Sequence, residues 1–239
     1  MRSSVGNLAL GLVLAGGLAA ASLAAAEPAA ASERTYRVTI TNLTRGQVIT
    51  PPAVIVHRSG FKLFEVNGES SPGLAELAET GNPGPLADEV VLAPGVAAVE
   101  TGAGPIPPGQ SAEVVITANR RARLLSVAAM LATTNDAFAA VRGLRLPRRG
   151  GQAGTRAVAY DAGSEGNNED CDFIPGPPCN AANARDTGTA EGFIHIHNGV
   201  HGGADLVPAD QDWRNPVMQI DVAEISDGGD NDKDKDDDD

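Results

Sequence analysis

The stretch TYRVTIT, Thr35–Thr41, decides the fold, because Tyr36, Val38 and Ile40 alternate with Arg37 and Thr39. Successive side chains of an extended chain point to opposite faces, so a period of two builds a strand with one apolar and one wet face. The pattern recurs in AEVVITA, Ala112–Ala118, which follows the turn-forming PIPPGQS. It recurs again in VMQIDVAEI, where Met218, Ile220 and Val222 oppose Gln219 and Asp221. Short alternating runs between Gly/Pro-rich turns predict an all-β, antiparallel β-sandwich. RLLSVAAMLA, Arg123–Ala132, is apolar throughout and fits a central strand or a helix; its place between strand-like runs favours a strand.

One short helix is predicted in SSPGLAELAETG. Ser71 is placed to cap it, Pro72 fits the first turn, and Gly81 terminates it. Leu74, Leu77 and Ala78 then share a face that packs on the sheet. No internal repeat or boundary interrupts residues 33–226, which read as one domain.

The two ends differ from the middle. Met1-Arg2, the apolar run Val5–Leu23 and the small residues Ala24-Ala25-Ala26 form a secretory signal peptide over residues 1–26, in a bacterial style. The expected location is therefore the periplasm or the extracellular space. Cys171 and Cys179, the two cysteines of the chain, flank DFIPGPP, and in an oxidising compartment they are expected to form a disulfide. Residues 227–239 carry eight Asp and two Lys with no apolar residue, the composition of a disordered acidic tail. The formal net charge of −13 argues against nucleic acid or an anionic membrane as a partner. Aromatic residues make up 3%, too few for a stacking platform.

Chemistry concentrates in YDAGSEGNNEDC, Tyr160–Cys171. Calcium takes six to eight oxygens from carboxylates, carbonyls and water. Asp161 and Glu165 lie four apart around Gly163, which permits a tight bend, and Asp136 follows the apolar run at a strand end. These three carboxylates from two loops make a candidate calcium site. From composition alone, two solvated acidic loops account for them as well.

FKLFEVNGESSPGLAELAETG, SVAAMLATTNDAFAAV and YDAGSE occur in the order found in the spondin N-terminal domain. The chain resembles that family, which opens F-spondin and mindin and also occurs as a stand-alone secreted bacterial protein, from about Tyr36 to Ile225. The most specific parts are Gly73–Gly81 and Asp161–Glu165. The resemblance implies a C2-like sandwich with calcium held by acidic loops at one end, Asp136 and Asp161 first among the ligands and Glu165 next. It also implies a recognition or adhesion module without catalytic activity, whose partner is an extracellular protein or glycan. Where animal members have Asp-Trp-Phe, this chain has Asp136-Ala137-Phe138, which keeps the carboxylate and drops the Trp.

A rival constellation lies in EGFIHIHNGVHGGADL. His195 and His197 are two apart and share one side of a strand, and His201 follows a short turn. Three imidazoles suit Zn²⁺ or Cu²⁺ and would make a transition-metal protein or a metal-dependent enzyme. One wet strand face leading into a Gly-rich turn is the plainer account. No Gly-x-Ser-x-Gly elbow, phosphate-binding Gly-rich loop or dinucleotide fingerprint is present. Trp213 reads as a core or edge plug, and Asn42-Leu43-Thr44, formally a glycosylation sequon, as a strand-end turn.

Overall fold

Elements follow in the order β1 (Glu33–Asn42), β2 (Ala53–His57), α1 (Pro72–Thr80), α2 (Gly84–Val90), β3 (Val96–Thr101), β4 (Ser111–Asn119), β5 (Leu124–Met130), β6 (Ala137–Arg145), β7 (Gln152–Asp161), β8 (His195–Ile196), α3 (Pro208–Gln211) and β9 (Met218–Ile225). This computed structural model describes residues 33–148, 150–181 and 184–225. The expected signal peptide and acidic tail lie outside the described residues. Among the described residues, no helix is long and apolar enough to cross a membrane.

All strand pairs are antiparallel, in the spatial order β3-β2-β5-β6-β7-β9-β1-β4, with β8 beside β7. The long strand β7 joins two layers. Its first half, Gln152–Ala157, pairs with β9, whereas Val158–Asp161 pair with β6. β3 and β4 come alongside each other, so the sheet nearly closes. The all-β antiparallel expectation therefore holds.

The inner faces of the two layers meet in one core. Val38, Ile40 and Ile220 come from one layer; Val56, Leu125 and Val127 come from the other. Trp213 is buried in this core, as expected of a plug. Asn42 ends β1, and its amide is buried, donating to the carbonyls of Gln47 and Ile106 at 2.8 and 2.9 Å. The sequon thus serves as a turn.

The outer faces differ. β1 keeps Arg37 exposed on its wet side, whereas β2 and β5 are buried on both. The outer face of β2, β5 and β6 contributes Ile55, Ala128 and Phe138 to a second core under Leu74, Leu77 and Leu86 of the helices. That cover explains the unbroken apolar run at Arg123–Ala132, which forms the central strand β5 as expected. α1 forms where predicted: Leu74 N donates to Ser71 Oγ at 3.3 Å, Pro72 opens the helix, and Gly81 closes it at φ 74°. Two further short helices, α2 and α3, also form in this mostly β chain. Their Pro residues occupy the first turn, but neither helix has a side-chain cap, so the cap signal that revealed α1 is missing.

Candidate functional site

The β6/β7 register pairs Ala137 with Asp161, and the β7/β8 register pairs Asp161 with His195. Asp136 immediately precedes β6, so sheet pairing alone brings Asp136, Asp161 and His195 to the same end of the sandwich. A long excursion from Ala162 to Ile194 then folds over that end. It opens with a bend at Gly163 (φ 66°), where an added Cβ would meet the Phe193 backbone at 2.4 Å. The Cys171–Cys179 disulfide forms within it, as expected, with a Cα–Cα distance of 4.7 Å.

Asp136 is fully buried. Its Oδ2 accepts from Ser164 N at 2.7 Å, Glu165 N at 3.0 Å and Ser164 Oγ at 3.2 Å. Among the described residues its Oδ1 has no hydrogen-bond partner. Burial, and then the neighbouring Asp161 carboxylate, push its pKa up to about 7 despite those donors.

Glu165 repeats the arrangement. One oxygen accepts from Asp186 N at 3.1 Å, and the other, Oε2, has no partner among the described residues. Burial, then the carboxylates of Glu79 and Asp136, raise its pKa to about 8. Glu79 lies on the buried side of α1; Arg185 pairs with its Oε1, and its Oε2 is unpartnered among the described residues.

Glu165 is therefore repelled by both Glu79 and Asp136, among the described residues each of the three leaves one buried oxygen without a donor, and Arg185 is paired with Glu79. An unpartnered buried acceptor costs about 1–3 kcal/mol, more when charged. Such oxygens suit a hard cation, although among the described residues the three ligand-bearing side chains whose donor atoms lie within 4.8 Å of one another are Asp161, Glu191 and His195. Spacing in the sequence indicated Asp136 and Glu165 and missed Glu79. The available signal was its place in the Gly73–Gly81 motif, as an acidic residue next to the apolar face of α1.

Asp161, the third expected ligand, is buried at the same end but better satisfied. Oδ1 accepts from Gly163 N at 2.7 Å and Oδ2 from Asn167 Nδ2 at 2.6 Å. Burial raises its pKa, while Asn167 and Gly163 oppose the shift. It faces outward as well, with His195 Nε2 at 3.7 Å from Oδ1 and His197 Nε2 at 3.9 Å from Oδ2. His195 and His197 thus share a side of the chain, as the period of two predicted.

The three-imidazole arrangement does not assemble. His197 Nδ1 accepts from Gly199 N at 2.9 Å, which places its proton on Nε2, where it donates to Asn167 Oδ1 at 2.9 Å. Both nitrogens are spent. Burial, and then the neighbouring His195 and His201, lower its pKa to about 4. His201 is exposed, and its backbone N–H donates to Glu169. Of the two histidines beside Asp161, His195 keeps its Nε2 free.

A Ser-His pair that the sequence did not single out lies in the sheet, with Ser126 Oγ 2.8 Å from His57 Nε2. These residues are 1% and 2% exposed. A substrate would have to enter the packed layers to reach them, and the pair reads as an internal hydrogen bond that also takes Gly143 N.

Compared with known protein families and with curated proteins, the chain matches neither a family profile nor an individual sequence.

Proposed function

We propose that this chain is a secreted calcium-binding recognition module of the spondin N-terminal type that works without catalysis. One observation carries the reading: Glu165 stands near the carboxylates of Glu79 and Asp136, and among the described residues each of the three keeps one unpartnered buried oxygen. Calcium is the fitting ion because every available donor is an oxygen and the group is strongly anionic. Asp161 stands beside Asp136 and adds its charge to the same end.

The ion would neutralise the carboxylates and tie α1, the turn before β6 and the Ala162–Ile194 excursion to one another. Its binding energy would then become stability of that end of the sandwich. A surface so ordered suits recognition of an extracellular protein or glycan. Secretion is supported by the amino-terminal leader pattern and is compatible with the disulfide.

Thermal unfolding in EGTA and then in calcium tests the reading. Calcium is expected to raise the midpoint, and Asp136→Asn to remove that rise. An unchanged midpoint in wild-type protein at millimolar calcium would overturn it. The three-imidazole alternative for Zn²⁺ or Cu²⁺ is not proposed in that form, because both His197 nitrogens are occupied.

A further inference from the structure

We propose that Asp161, Glu191 and His195 form a second metal site, for a borderline divalent ion such as Zn²⁺, next to the calcium position and sharing Asp161 with it. One donor atom from each residue lies within 4.8 Å of the other two. The set contains an imidazole nitrogen, which a calcium site does not use and zinc favours.

The site is built by its surroundings. His195 Nδ1 lies 3.0 Å from the carbonyl of Ile196, and a carbonyl only accepts, so the ring proton sits on Nδ1. The Nε2 lone pair is then free and faces Asp161 Oδ1 at 3.7 Å. That separation is long for a hydrogen bond. It is close to the separation of about 3.3 Å between two ligands on one tetrahedral zinc. A backbone carbonyl that fixes the tautomer of a ligating imidazole is the usual second shell of a zinc histidine.

Asn167 organises the carboxylates, since its single amide nitrogen donates to Asp161 Oδ2 at 2.6 Å and to Glu191 Oε1 at 3.1 Å. The β7/β8 register holds Asp161 opposite His195. Gly192 N donates to Gly163 O at 2.9 Å, which anchors Glu191 against the bend after β7. Glu191 is exposed and His195 half-buried, so an ion reaches the site from solvent. His197 does not join, because its free pair is taken by Gly199 N.

The proposal is independent of the calcium reading except for Asp161, and the test separates the two. Zinc titration of the EDTA-stripped full mature chain, against a chromophoric chelator, is expected to give one specific site per chain. His195→Ala and Glu191→Gln, both at accessible positions, are expected to weaken it at least tenfold. His201→Ala and Asp136→Asn are expected to leave it within twofold. Cobalt(II) should give visible d–d absorption that His195→Ala removes. Zinc affinity unchanged in both His195→Ala and Glu191→Gln would overturn the site, as would equal loss in His201→Ala. Loss of the calcium response alone, with zinc binding intact, would overturn only the calcium reading.

Discussion

Glu169 and Glu165 lie four residues apart in the same excursion, both buried, and their carboxylates have opposite fates. Glu169 is cradled by backbone: Oε1 accepts from His201 N at 2.5 Å, and Oε2 from Gly202 N and Gly203 N, each at 2.7 Å. Glu165 receives one backbone N–H and, on its other oxygen, none. Instead it faces Glu79 and Asp136. The difference teaches that acidic content does not mark an ion site. A carboxylate supplied with donors by its own chain serves as structural glue, whereas one denied donors among like charges is relieved by a proton or by a cation from outside.

Adding and withdrawing the proposed calcium ion is the strongest way to break this comparison. At calcium a hundredfold above Kd, binding contributes about 2.7 kcal/mol, or roughly 5–10 °C in midpoint for a domain of this size. Asp136→Asn should abolish that response and cost little in EGTA, because an amide oxygen still accepts from Ser164 and Glu165. Differential scanning fluorimetry in both buffers reads it. Glu169→Gln should do the reverse. Its amide nitrogen would confront backbone N–H groups, costing about 1–3 kcal/mol equally with and without calcium. A calcium-dependent penalty at Glu169 would collapse the distinction.

Proton linkage sharpens it further. In the folded chain Asp136 and Glu165 hold protons up to about 7 and 8, above ordinary values of 3.8 and 4.5. Between those limits the folded state binds more protons than the unfolded state, so calcium-free stability should fall as pH rises from about 4 to 8. His197 acts oppositely. Its pKa of about 4 lies below 6.5, so its share of stability is lost as pH drops through that window. Saturating calcium should remove the alkaline decline; midpoints measured from pH 5 to 8 with and without the ion would show whether it does. The smallest effect concerns Arg185, which is half-exposed beside the buried Glu79. Arg185→Met should tighten calcium by about two- to fivefold, the scale of a partly exposed ion pair near 0.5–1 kcal/mol. Weaker calcium binding in that variant, read by titration calorimetry, would mean that Arg185 organises the site rather than competing for it.

Much of the fold was legible because its signals are local. Alternation at Thr35–Thr41 and at Val217–Ile225 appears directly in β1 and β9, and Ser71, Pro72 and Gly81 punctuate α1 as read. The uncapped helices α2 and α3 were not legible. The site was legible in part: Asp136, Asp161 and Glu165 do meet at one end, but Glu79 arrives on a helix far away in sequence. The histidines show the same limit. The period of two placed His195 and His197 on one side, yet which nitrogen is free depends on Gly199 N and Asn167, whose positions no spacing reveals.

The sequence by itself determined the strands β1, β4, β5 and β9, the capped helix and the acidic segment that follows β7, because alternation, caps and turn residues act over a few positions. Tertiary structure alone decided which of the many carboxylates go unsatisfied. That outcome depends on where the β6/β7/β8 register and the Ala162–Ile194 excursion carry backbone N–H groups. A carboxylate's need for a cation is set by the donors and charges within a few ångströms of it, and long-range packing chooses those neighbours.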